Sequence, residues 1–160
     1  MSLWHAALGG LLGTFVLTTM VRGASEARLT RMDLPFLLGT AVTTDRARAK
    51  AIGYVLHFLA GLVFAMGYGI GFLVLGRAGW LLGAAFGVIH GLFAGSVLVN
   101  ALLPLVHPNM GTPMSGIGSA ALLEPPGFMM LNYGRATPIV SLMAHTAYGV
   151  IIGLSVSLRP

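Results

Sequence analysis

The chain has no cysteine and only four acidic residues, Glu26, Asp33, Asp45 and Glu124. The first absence excludes disulfides, thiolate metal sites and cysteine nucleophiles. The second leaves the apolar segments without a carboxylate, so an Asp or Glu proton relay inside them is not available. No phosphate loop, nucleophile elbow or HExxH motif is present. Charge itself is scarce. Charged residues are 8% of the 160 and hydrophobic residues 56%, where soluble domains carry about 25% charged residues. That is too little polar surface to clothe a water-soluble globule.

The apolar residues cluster into four runs, each near the roughly 20 residues that a bilayer crossing needs. The expected spans are 3–21, 51–75, 80–103 and 137–158, joined by loops 22–50 and 104–136. The expected fold is all-α: one transmembrane domain over 1–160, an antiparallel four-helix bundle with two structured cytoplasmic loops. The first run lacks a basic n-region, so it reads as a retained helix rather than a cleaved signal. Only Gly76 to Gly79 separate the second and third runs, which predicts a helical hairpin of antiparallel neighbours. Pro138 suits the first turn of the fourth.

The net charge of +5 is distributed unevenly. Arg22, Arg28, Arg31, Arg46, Arg48 and Lys50 share the first loop. The positive-inside rule then places both long loops in the cytoplasm and both termini outside it, facing anionic headgroups on the loop side. Nucleic acid is not an expected partner.

Both loops carry features of their own. Leu34 to Gly39 is apolar, too short to cross, and reads as a short interfacial or re-entrant piece. Thr44-Asp45 reads as the N-cap of the second span. In the other loop, five prolines accompany Phe128-Met129-Met130-Leu131, and its apolar content predicts folding back onto the bundle or a partner. Glu124 is expected to pair with Arg135. Asn132 and Tyr133 are expected to cap the fourth span or to contact a ligand.

Small residues recur every four positions: Gly83, Gly87, Gly91 and Gly95 in the third span, and Gly149 and Gly153 in the fourth. Such faces let helix backbones approach closely. The string Gly67-Tyr68-Gly69 matches a potassium filter in letters alone, since it sits inside an uninterrupted span. No internal repeat is visible, which weakens a transporter reading.

Three runs each hold one interior histidine: His57, His90 and His145. A titratable side chain in hydrocarbon costs roughly 2–4 kcal/mol, so it usually has a partner or a task. His57 lies roughly 10 Å past Lys50 and His145 roughly 12 Å past Thr137, entering from the same side. They form the depth-matched pair, with His90 the looser third. Tyr54 and Tyr148, each three residues away, are the expected supporting partners. Two facing imidazoles suit a haem or other tetrapyrrole, and three suit zinc or copper. The plainer reading is neutral histidines that hydrogen-bond helix to helix. His5 and His107 read as surface groups.

The stretches Arg31-Met32-Asp33-Leu34-Pro35-Phe36-Leu37-Leu38-Gly39-Thr40 and Thr44-Asp45-Arg46-Ala47 resemble a family of uncharacterised small bacterial four-helix inner-membrane proteins. So do Glu124-Pro125-Pro126-Gly127-Phe128 and Leu131-Asn132-Tyr133-Gly134-Arg135. The resemblance implies four helices and a bacterial inner membrane, and it implies no activity. The functional expectation is a non-catalytic integral subunit that packs against a larger membrane complex or a second copy. The alternatives are a tetrapyrrole or metal protein using the three histidines, and a small-solute or ion pathway.

Overall fold

The computed structural model describes residues 2–111 and 123–157. The described residues are helical, and none forms a strand. Helix α1 spans Leu3–Glu26, α2 Leu34–Thr40, α3 Arg46–Leu75 and α4 Trp80–Phe93. The last continues through a π-helical stretch, Ala94–Leu102, into α5, Leu103–Val106. A 3₁₀ segment, Phe128–Tyr133, precedes α6, Thr137–Ser157. Four helical runs are long and apolar enough to cross a membrane: Leu3–Glu26, Arg46–Leu75, Trp80–Val106 and Thr137–Ser157.

The helix ends follow local chemistry. Asp45 accepts the Arg48 backbone N–H at 2.8 Å, so α3 begins at Arg46 rather than at Ala51. Gly76 closes it in the left-handed conformation, with φ 66°, where a side chain would be strained. The apolar stretch from Leu34 forms a short helix, Leu34–Thr40, capped by Asp33, whose carboxylate accepts the Phe36 N–H at 3.1 Å. That helix seats on α3 through glycines. A Cβ at Gly53 would strike the Pro35 carbonyl, and one at Gly39 would strike Ala49.

The π stretch has a covalent cause near its end. Pro104 lacks the N–H that an α-helix would return to the Asn100 carbonyl, and its ring would clash there. Ser96 and Asn100 also bond back to the Leu92 and Ser96 carbonyls.

The packing order differs from the hairpin expectation. Helix α6 lies between α1 and α4, α3 packs on α1, and α2 packs on α3. The backbones of α3 and α4, although joined by only Gly76 to Gly79, scarcely approach one another. The reason is side-chain volume. Gly83 and Gly87 of α4 meet the backbone of α6 at Gly149 and His145, and Gly153 meets Gly79. Between α3 and α4, by contrast, aromatic rings fill the space: Phe72 stacks on Phe86 at 5.2 Å, and Tyr68 meets Phe86 edge-on at 5.4 Å. Gly10 and Gly13 of α1 make the other close approach, to Ala65 and Tyr148. Gly95 faces Met129 of the loop, not another helix.

The two loops are tied together. The Arg31 guanidinium donates to the Asn132 carbonyl at 2.6 Å and pairs with Glu124 at 3.1 Å. Arg31 N–H donates to the Tyr133 carbonyl, and the Thr30 and Thr137 hydroxyls meet at 2.7 Å. Glu124 therefore pairs with Arg31 rather than Arg135. Asn132 and Tyr133 do not cap α6 either; they donate to the Pro125 and Glu124 carbonyls and fold the loop on itself. Met129 and Met130 both take positive φ, and Met130 is 1% exposed, a buried plug from the loop. Expectations that fall on residues 112–122 lie outside the described residues.

Candidate functional site, a histidine-lined cavity

His57, His90 and His145 do converge, though not as the expected pair. The close contact is His90 against His145, edge-on with ring centroids 4.8 Å apart. Three separate helices, α3, α4 and α6, present them. Gly91 makes room, since a Cβ there would sit 3.1 Å from the His145 Cβ. Phe64 stacks on His90 at 4.0 Å and holds its plane.

Each ring has one described hydrogen-bond partner set, and two of these define a tautomer. His145 Nδ1 lies 2.8 Å from the Ser141 carbonyl, which can only accept. The proton is therefore on Nδ1 and the lone pair on Nε2. His57 Nε2 lies 3.1 Å from the Thr18 hydroxyl. That hydroxyl spends its hydrogen on the Thr14 carbonyl at 2.6 Å, so His57 Nε2 donates and Nδ1 keeps the lone pair. His90 Nδ1 meets the Tyr68 hydroxyl at 3.3 Å.

The expected tyrosines make no described hydrogen bond to the histidines, although Tyr148 meets His90 ring to ring at 5.7 Å. Tyr148 donates to the Gly61 carbonyl, bridging α6 to α3, and Tyr54 lines a cavity alongside Arg22. Their spacing along the helix suits contact, but a cross-helix acceptor takes the Tyr148 hydroxyl instead. Thr18, Ser141 and Tyr68 are the partners that sequence reasoning missed. Ser141 stands four residues before His145, a spacing that puts both on one helix face. Thr18 and Tyr68 reach across helices, and no spacing reveals that.

Two cavities meet these rings. One of about 280 Å³ is apolar and lies among α1, α3, α4 and α6. All three histidines line it, together with Ala94, Leu98, Val99 and Leu102 of the π stretch. A π turn closes i→i+5 and carries an extra residue per hydrogen-bonded ring, which swells the helix wall along this cavity. The second, about 170 Å³, is the more polar of the two and lies at the loop end, lined by Arg22, Glu26, Asp33, Lys50 and Tyr54 beside Leu17, Val21, Met32 and Leu34. His57 and His145 line both cavities. In the polar one, Lys50 pairs with Asp33 at 3.4 Å and Arg22 with Glu26 at 3.4 Å, so its charges balance.

Among the described residues no group of three His, Cys, Asp or Glu side chains is arranged to hold a metal ion.

His107 is also corrected. It is 4% exposed, not a surface group. Its Nε2 donates to the Leu37 carbonyl at 3.0 Å, beside the Thr40 hydroxyl, and its Nδ1 accepts the Asn109 N–H at 3.2 Å. Asn109 in turn donates to the Thr40 carbonyl. The pair locks the end of α5 to α2, below the apolar cavity. His5 is half-buried, and its Nδ1 has no partner among the described residues.

No family model matches this chain, and neither a curated protein nor a solved structure is significantly similar to it.

Proposed function

We propose that the chain is a multi-pass protein of a bacterial inner membrane: one antiparallel four-helix domain, loops in the cytoplasm and termini outside. Its apolar cavity is a binding site for a small, largely apolar molecule. The observation that carries this reading is the meeting of three imidazoles on one apolar cavity whose far wall is a π-helical stretch. Interior histidines in a membrane mark function by default, and π segments are frequent at functional sites. The role is non-catalytic: a binding or carrier subunit. The six basic residues of the first loop support its cytoplasmic placement.

The test is to purify the protein in native-lipid nanodiscs and identify bound small molecules by mass spectrometry. The expected result is a molecule retained at near one per chain and lost in His145→Phe. A tetrapyrrole would announce itself by a Soret band that disappears in His57→Ala or His145→Ala. An empty cavity, together with a partner protein held in fixed proportion, would overturn the binding reading in favour of a packing subunit.

A further inference from the structure

We infer that the ligand carries a hydrogen-bond-donating head, an alcohol or phenol hydroxyl on an apolar body, whose one hydrogen goes to the His145 Nε2 lone pair in the cavity that His57 also lines. The inference rests on the binding reading above and adds the chemistry of the head. Both rings are more than nine-tenths buried. The Ser141 carbonyl takes the His145 Nδ1 proton, and Thr18 takes the His57 Nε2 proton. What remains on each ring is a lone pair: Nε2 of His145 and Nδ1 of His57. Neither has a partner among the described hydrogen bonds, and neither nitrogen is sealed away as a buried unpartnered atom. Both residues line the apolar cavity. A lone pair in an apolar site is matched by a donor. Esters, ethers and quinone carbonyls offer only acceptors. An alcohol or a phenol offers the hydrogen, and its apolar body then lies along Leu98 and Leu102 of the π stretch.

The matched probes are 4-octylphenol and 4-octylanisole, which differ by methylation of the one hydroxyl. Binding is measured by equilibrium dialysis into protein-loaded nanodiscs against empty ones. The phenol is expected to bind about tenfold tighter, as one hydrogen bond in an apolar site allows. That ratio should collapse toward one in His145→Phe. It should narrow in Thr18→Val, where the His57 ring is released from its tautomer. Nitrogen-15 NMR of the histidines should show the proton on Nδ1 of His145 and on Nε2 of His57. Equal binding of phenol and anisole to the wild type would overturn the donor inference and leave the binding site standing. Failure of both probes to bind above empty nanodiscs would overturn both. The opposite tautomers in the NMR spectrum would also overturn the inference.

Discussion

At the scale of single residues, burial and partner decide what each polar group does. His57, His90 and His145 drew notice as interior histidines, and their neighbours assign their protons. Tyr133 shows the same logic outside the helices. Burial pushes its hydroxyl up to about 12, with the Glu124 charge adding to the shift. Its ordinary value is about 10. A raised value means the folded chain binds the proton more tightly than the unfolded one, so its contribution is complete below pH of about 10 and lost as pH rises through about 12. The hydroxyl donates to the Glu124 carbonyl at 2.7 Å, and the phenolate cannot. Subtracting the alkaline ultraviolet titration of Tyr133→Phe from that of the wild type should leave one phenol titrating near pH 12. A midpoint at the ordinary value would sink this assignment.

At the scale of elements, glycine position decides which helices touch. Gly83 and Gly149 oppose each other, and a Cβ on either would meet the other's carbonyl oxygen. Gly83→Ala must push α4 from α6 and should destabilise the fold by about 1–3 kcal/mol, the usual cost of overpacking. Gly67 is the control, because a Cβ there meets nothing within 4 Å. Gly67→Ala should be neutral or stabilise by up to about 1 kcal/mol through helix propensity. Unfolding in graded denaturing detergent measures both, and equal effects would refute the contact argument. The four-residue spacing of small residues announced these faces but not their partners. Gly95 belongs to the same stripe and yet meets Met129 of a loop. The hairpin link between α3 and α4 likewise set proximity in sequence, while Phe72, Phe86 and Tyr68 kept the backbones apart.

At the scale of the whole molecule, the described parts of the two long loops join into a single cap. Arg31 is its joint, bonded to the Asn132 and Tyr133 carbonyls and paired with Glu124. The pair with Glu124 is exposed and worth little alone. The bond to the Asn132 carbonyl is charge-assisted and short, hence stronger. Arg31→Ala should free the second loop, raising its cleavage by chymotrypsin several-fold at Phe128 while leaving helix content unchanged by circular dichroism. Unchanged cleavage would show that Thr30 and Met130 hold the cap without it. Below the cap, the polar cavity reaches His57 and His145 from the loop side, and the aromatic layer of Phe72, Phe86 and Tyr68 closes α3 against α4 beyond His90.

Composition and run length, read along the chain, determined the helical class, the four long apolar helices and the residues worth watching. Those properties are local: hydropathy, proline, glycine and cap residues act within a few positions. Asp45 as the cap of α3 and the short helix at Leu34 were legible for that reason. The tertiary structure decided the rest. It placed α6 between α1 and α4, buried His107 against Leu37, and moved the partner of Glu124 to Arg31. It replaced Tyr54 and Tyr148 by Thr18 and Ser141 as the groups that orient the histidines. A hydrogen bond across helices depends on rotation and depth of two separate segments, and only packing sets those. The histidines were visible in the sequence, and the cavity they share came from the fold.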